Sequence, residues 1–208
     1  MGLKNWGFRG LCLLPLVPAL LLPGLGVLGS LAVVVFTLVF VAQARAPTLS
    51  LSGGYPVREI LQGLGFGVIV ALASHLLIEP IVEQWTGKTI DLGDLGDIEG
   101  NLPSFLVLLA LGVLFGGIIE ELIFRGFVVG WGSRVFGDGA GVWLVALSAG
   151  VFGLSHLYQS LPGVITTGLL GLIFGLLYLW NKRRLLVPIV THMTVNTYSL
   201  TLMYLGLY

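Results

Sequence analysis

Three charged side chains lie within six residues of an otherwise apolar segment: Glu120, Glu121 and Arg125. Glu121 and Arg125 are four positions apart, so they would share one face of a helix and could form an ion pair. Glu120 would point about 100° away from that pair, without a partner nearby in the sequence. An ionisable group in a membrane helix costs about 2.5–3.5 kcal/mol at mid-depth and usually serves a function. We therefore interpret Glu120 as a general acid or base, in preference to a member of a purely structural ion network.

Histidine and asparagine side chains in other apolar segments could extend this site. His156 lies in one such segment, and His192 and Asn196 lie four positions apart in another, so the latter two would share a helix face. A single histidine in such a segment is as often a hydrogen-bonded core residue as a functional one. His75 and Glu79 have the same spacing, and we interpret them as a structural pair outside the site.

Counting along the helices indicates which of these groups can meet. The glycines at 137–141 predict a turn, with Glu120 19 residues before its centre and His156 17 residues after it. At 1.5 Å per residue both would lie about 25–28 Å from the turn, so an antiparallel helix pair would bring them to one level. His192 and Asn196 follow a later turn and would be shallower, unless the end of the Glu120 helix extends beyond the membrane.

The composition indicates that membrane helices position these groups. Of the 208 residues, 10 are Lys or Arg and 10 are Asp or Glu, whereas 56% are hydrophobic and the mean hydropathy is +1.01. Because a soluble domain carries about 25% charged residues, a soluble globular protein and a disordered tail are excluded. The net charge of zero gives no reason to expect a nucleic-acid partner. The single cysteine, Cys12, excludes an intrachain disulfide framework and a cysteine-rich metal site.

Long charge-free runs predict an all-α fold, a polytopic membrane helix bundle with about six transmembrane helices. One span needs about 20 apolar residues. The run 139–181 could hold two helices with a break at Gln159–Pro162, because proline suits the first turn of a helix. The charge-free runs are 10–44, 60–78, 100–119, 139–181 and 185–208.

The first of these runs is long for one helix and short for two. We predict a span at Leu25–Ala42, preceded at Leu11–Leu22 by a bent or interfacial segment that could form a seventh membrane helix. Three prolines in the first half of the run favour this bend: Pro15, Pro18 and Pro23.

The distribution of charge predicts an orientation in the membrane. Lys182, Arg183 and Arg184 form the densest basic cluster, whereas the loop at 83–102 is mainly acidic. The positive-inside tendency places the basic loops in the cytoplasm, and the 83–102 loop and the 159–162 turn outside.

Glycine pairs spaced by four positions recur in the apolar segments. This spacing favours close packing of membrane helices rather than a nucleotide or phosphate loop. The pairs are Gly63/Gly67, Gly112/Gly116, Gly126/Gly130 and Gly171/Gly175.

Taken together, the motifs resemble the CPBP (Abi) family of intramembrane proteases, which includes the type II CAAX prenyl proteases and bacterial self-immunity proteins. The motifs are Glu120-Glu121-x-x-x-Arg125, Phe152-x-x-x-His156 and His192-x-x-x-Asn196, in that order. The resemblance covers about residues 90–205 and implies a catalytic core there, within a single integral membrane domain at 1–208. The first 60 residues match none of its motifs and form a variable N-terminal part.

The resemblance implies an endopeptidase in a multi-pass bacterial cytoplasmic membrane protein, with a membrane-associated protein or peptide as substrate, which could be a prenylated CAAX protein. It implies that Glu120 and His156 activate water, that His192 and Asn196 stabilise the oxyanion, and that Glu121, together with Arg125, supports them.

Three alternatives remain open at this point. Zinc could be held by Glu120, His156 and His192 with Glu121 as the base, although no H-E-x-x-H helix is present and we favour metal-free water activation. A transporter or ion relay could use the same charges, although no inverted repeat of broken helices is visible. A non-catalytic immunity or scaffold protein would not need charge in the site.

Overall fold

The computed structural model describes residues 6–22 and 25–208, and every regular element in these two ranges is helical. The predicted all-α fold is therefore confirmed for the described part of the chain.

The described residues of the N-terminal part contain four short helices. α3 lies close to the span predicted at Leu25–Ala42, and the predicted bend before it is present as a break between α1 and α2. Ser30 connects α3 to the residues of that break, because its hydroxyl donates a hydrogen bond to the carbonyl oxygen of Pro15 at 2.6 Å. Pro23, the third proline of the predicted bend, lies outside the described residues. The bounds are α1 Trp6–Leu13, α2 Leu16–Leu21, α3 Gly26–Phe40 and α4 Ala42–Thr48.

Two long helices then contain segments of π-helix, in which the hydrogen bonds run from residue i to i+5. The first consists of α5 (Pro56–Ala73), a π segment (Ser74–Ile78) and α6 (Glu79–Thr86). The second consists of α7 (Leu102–Leu111), a π segment (Gly112–Trp131) and α8 (Gly132–Phe136). The second π segment carries Glu120, Glu121 and Arg125.

The remaining helices begin and end where the turn residues predict. Gly137 has a φ of 106° and ends the Glu120 helix, and α9 spans Gly141–Leu154. After a short 3-10 turn, α10 spans Ser160–Trp180 with Pro162 in its first turn, so the break predicted at Gln159–Pro162 is confirmed. α11 spans Leu186–Tyr204 and carries His192 and Asn196.

By length and composition, the described residues contain three helices that could cross a membrane: Pro56–Thr86, Leu102–Phe136 and Leu157–Trp180. Two further apolar helices, Gly26–Phe40 and Asp138–Leu154, are shorter. The predicted count of about six spans is therefore not confirmed. α11 is long enough, but its threonines and its two polar site residues lower its hydropathy.

Close helix packing follows the glycine pairs, as the spacing predicts. α11 packs most extensively along α5, where a side chain at Gly63 would collide with Val190 and one at Gly67 with Thr194. α10 packs along α9, and Gly175 is in similarly close contact with Val145. The missing Cβ atoms let the backbones approach, which is the main route to association for helices that lipid surrounds.

Candidate active site

Glu121 lies at the centre of a buried ion-pair network. Its Oε1 atom accepts hydrogen bonds from Arg125 Nη1 at 2.8 Å and from His192 Nδ1 at 2.9 Å. All three side chains are at most 6% exposed. The predicted pairing of Glu121 with Arg125 is thus present, and the network also reaches the last helix.

The guanidinium group of Arg125 is surrounded by a backbone carbonyl and three aromatic rings. Its Nη2 atom donates to the carbonyl oxygen of Gly171 on α10 at 2.8 Å. Its charge lies 5.0 Å from the ring centre of Phe152, 5.4 Å from that of Phe174 and 5.9 Å from that of Phe124. Cation–π contacts of this kind are worth about 2 kcal/mol when desolvated, so Arg125 ties three helices together around Glu121.

The hydrogen bond to Glu121 determines the orientation of His192. A carboxylate oxygen accepts, so Nδ1 of His192 carries the hydrogen and Nε2 is left facing away from Glu121. Nε2 lies beside Gly116, as does the Nδ2 atom of Asn196, with which a side chain at position 116 would collide. Asn196 Nδ2 is fixed by donating to the carbonyl oxygen of Gly112 at 3.0 Å. The pair Gly112/Gly116 therefore provides the space in which the polar side chains of α11 approach the Glu120 helix.

His156 lies just beyond the end of α9, in the connection to the 3-10 turn at Leu157–Gln159. Its Nδ1 atom is 2.8 Å from the carbonyl oxygen of Phe152. Because a carbonyl only accepts, Nδ1 carries the hydrogen and neutral His156 has a free lone pair on Nε2. The ring of Phe152 lies between the two histidines, 4.8 Å from the ring of His156 and 6.0 Å from that of His192.

Glu120 contrasts with its neighbour because it makes no hydrogen bond to any described residue. It lines a cavity of about 370 Å³ together with His156, His192 and Asn196. The structure therefore brings four of the predicted site residues to one cavity. Glu121 and Arg125 do not line the cavity. They are connected to it only through residues that they bind.

The same cavity contains a second carboxylate that the sequence interpretation left outside the site. Glu79 lines it, and its two oxygens accept hydrogen bonds from Ser74 at 2.8 Å and from Tyr208 at 3.0 Å. Ser74 and Glu79 are five positions apart and meet because the segment between them is π-helical. His75 Nδ1 lies 3.8 Å from Glu79, so the predicted pair is present at a longer distance. The α-helical spacing rule points to His75 and misses Ser74.

A second cavity, of about 460 Å³, also contains Glu120 and His156 in its lining. Its opposite wall comes from α2 and α3, with Ala19 and Val27 among the contributing residues. The variable N-terminal part therefore forms one side of the space around the Glu120–His156 pair.

Two features of the described residues argue against the zinc alternative. No group of three or more His, Cys, Asp or Glu side chains in the described ranges is arranged to hold a metal ion. The Nδ1 atoms of His156 and His192 are hydrogen-bonded, to Phe152 and to Glu121, which leaves only their Nε2 atoms as possible ligands. Glu121, the base of that alternative, is fully buried away from the cavity.

A model of the family described as Type II CAAX prenyl endopeptidase Rce1-like matches residues 102–198. The segment contains all seven residues of the predicted motifs, and the match confirms the resemblance. No curated protein and no solved structure matches the chain. Because the matching family is a protease family, the match supports a protease with a protein substrate, and the three apolar helices indicate an integral membrane protein.

Proposed function

From the match of residues 102–198 to the type II CAAX prenyl endopeptidases, we propose that this chain is an intramembrane endopeptidase. In this proposal it hydrolyses a peptide bond of a membrane-associated protein or peptide with water that Glu120 and His156 activate. Residues 90–205 form the catalytic core of one integral membrane domain, in the cytoplasmic membrane of a bacterium.

The observation that carries the proposal is the shared cavity lined by Glu120, His156, His192 and Asn196. These residues come from the second long helix, from the end of α9 and from α11. A carboxylate without a hydrogen-bond partner, facing a cavity with two histidines, has the geometry that a general base requires.

In the first step, water lies between Glu120 and His156 Nε2. Glu120 or His156 takes a proton from the water. At the same time, the oxygen of the water forms a bond to the carbonyl carbon of the scissile peptide. The C=O double bond becomes a single bond, and its oxygen becomes an oxyanion. The lone pair on His156 Nε2 is free for this task because Nδ1 is engaged with Phe152.

The oxyanion is stabilised by donors on α11. Asn196 Nδ2 has a second hydrogen beyond the one it donates to Gly112, and the bond to Gly112 holds the amide in place. His192 donates from Nε2 when both of its ring nitrogens carry a hydrogen, with Nδ1 donating to Glu121 Oε1 on the other side of the ring. One donor of this kind contributes about 10²–10³ in rate.

In the last step the C–N bond breaks, and the proton taken from the water passes to the leaving nitrogen. The products are a new carboxyl group and a new amine, so atoms and charge balance. Glu121 and Arg125 act as positioning residues, because they hold His192 without reaching the cavity.

The lining of the cavity suits an apolar peptide or a lipid-modified one. Leu108, Leu111 and Phe115 line it beside the polar residues. A prenylated CAAX protein is the substrate class that agrees with both this lining and the matching family.

Comparison of membrane proteomes tests the proposal. Cells with Glu120→Ala should accumulate at least one uncut membrane-associated protein that wild-type cells process, while the variant remains inserted and folded. Flux of ions through proteoliposomes that depends on Glu120 would favour a transporter instead. An unchanged phenotype in Glu120→Gln would favour a non-catalytic partner protein.

A further inference from the structure

A third cavity, of about 610 Å³, lies at the opposite end of the Glu120 helix from that helix's start. Its walls come from the end of α4, from α8, from the 3-10 turn after α8, and from the turn between α10 and α11. It shares no lining residue with the cavity of the candidate active site. We refer to it as the basic pocket, after its charged lining residues Arg134, Asp138, Lys182, Arg183 and Arg184.

The basic pocket has an excess of positive charge. Four cationic side chains face one carboxylate, which leaves three positive charges uncompensated. Arg183 is paired with Asp138, and Arg184 Nη1 donates to the hydroxyl of Ser50 at 2.6 Å. Arg134 and Lys182 make no ion pair or hydrogen bond through their side chains to any described residue. Two cations at the pocket are therefore available to an anion.

The backbone that carries three of these cations is held in an uncommon conformation. Lys182 and Arg183 both have positive φ values, of 54° and 60°, which non-glycine residues rarely adopt. Backbone hydrogen bonds from Lys182 to Leu179 and from Arg183 to Tyr178 hold the turn. The cationic side chains therefore start from a defined backbone rather than from a mobile loop.

Tyr178 supplies a further polar group without a partner. Its side chain is fully buried, it lines the basic pocket, and its hydroxyl has no hydrogen-bond partner. The hydroxyl lies against Gly130, which also lines the pocket and where a Cβ atom would collide with it. A buried hydroxyl without a partner is costly, so a ligand that accepts from it would recover that cost.

We propose that the basic pocket binds a phosphate-class anion, either the headgroup of an anionic phospholipid or free phosphate. Arg and Lys side chains form short, charge-assisted hydrogen bonds to phosphate oxygens, and Tyr178 adds a neutral donor. Basic pockets between membrane helices on the cytoplasmic side suit such headgroups. A positive-inside bias by itself needs only basic residues in loops, not a cavity shared by four segments with a buried hydroxyl in its lining.

Lipid binding by the full-length protein in an uncharged detergent tests the proposal. Native mass spectrometry would compare dioleoyl phosphatidylglycerol, dioleoyl phosphatidylcholine and inorganic phosphate at one ionic strength. The test variants are Arg134→Gln combined with Lys182→Gln, and Tyr178→Phe. Arg58→Gln is the matched control, because Arg58 is an exposed base on the same predicted side of the membrane and does not line the pocket.

We expect the wild type to bind phosphatidylglycerol or phosphate saturably, and phosphatidylcholine more weakly. Each removed cation should weaken binding about fivefold, so the double variant should lose about 25-fold and Arg58→Gln less than twofold. Tyr178→Phe should weaken binding about fivefold without lowering the melting temperature. Which probe binds identifies the source of the anion.

Three outcomes would overturn the proposal. Equal loss of binding in Arg58→Gln and in the double variant would mean that only the overall surface charge matters. Equal binding of phosphatidylcholine and phosphatidylglycerol, or no saturable binding of either anion, would also overturn it. None of these outcomes bears on the proposed peptidase activity, which depends on the other cavity.

Discussion

Glu120 and Glu121 are neighbours in the sequence but occupy opposite environments. Glu121 is fully buried, and Arg125 and His192 bind its Oε1 atom. Glu120 has no hydrogen-bond partner among the described residues and faces two cavities. Two adjacent carboxylates on one helix thus have different environments, with one bound in an ion-pair network and the other facing cavities without a hydrogen bond to any described residue.

The largest expected effect is that of Glu120→Gln on activity. Removal of a general base costs about 10²–10⁴ in rate, whereas the fold should lose nothing because the wild-type side chain makes no hydrogen bond. Cleavage of the accumulating membrane protein measures the rate, and thermal unfolding in detergent measures stability. A variant that unfolds at a clearly lower temperature would mean that Glu120 is structural.

Glu121→Ala tests whether the bound carboxylate stabilises the fold. It leaves the buried Arg125 without its carboxylate, and breaking a buried pair in this way costs about 3–5 kcal/mol of folding stability. Thermal unfolding should show the loss, in contrast to Glu120→Ala. Equal melting temperatures for the two alanine variants would remove the distinction between the positioning acid and the catalytic one.

Gly116→Ala should disturb the site without changing any charge. The new methyl group would collide with Asn196 Nδ2, so the amide would shift, whereas His192 Nε2 at 3.5 Å would be in ordinary contact with it. A displacement of about 1 Å can cost about 10²-fold in rate. Gly150→Ala is the control, since its methyl group meets nothing within 4 Å. Full activity in Gly116→Ala would argue against a role for the Asn196 amide in the reaction.

The smallest expected effect is that of Ser74→Ala at the Glu79 end of the cavity. One oxygen of Glu79 loses its hydrogen bond, while Tyr208 still donates to the other, so unfolding should change by about 1 kcal/mol. Thr197→Ala serves as the control, because that hydroxyl is exposed and bonds only within its own helix. Similar melting temperatures for both variants would mean that Glu79 does not depend on Ser74.

Much of the site was predictable from spacing along single helices. The ion pair of Glu121 with Arg125, the common face of His192 and Asn196, and the turn at 137–141 all follow from local periodicity. The bond between His192 and Glu121 was not predictable, because it joins positions 71 apart in the sequence. Counting residues along straight helices placed His192 at a smaller depth in the membrane than that carboxylate. The two could meet only if the end of the Glu120 helix extended beyond the membrane.

The fold likewise has features that the sequence predicts and features that it does not. Charge-free runs and turn residues indicated an all-helical membrane bundle and located the breaks near Gly137 and Ser160. The number of spans they predict is not confirmed, since hydropathy along a run does not reveal where a helix bends or shortens. They also gave no sign of the π segments, because i to i+5 hydrogen bonding leaves no periodic signature in so apolar a sequence.

By itself, the sequence determined the class of the protein and the residues that could do chemistry, since scarce charges in apolar segments are costly and therefore conspicuous. Only the tertiary structure decided that His192 joins Glu121 and Arg125 in one network. It also decided that Ser74 and Glu79 meet, and that α2 and α3 enclose the Glu120–His156 pair. The physical reason is that partners from distant segments, and the register of a π-helix, depend on packing between helices, which spacing along one helix does not encode.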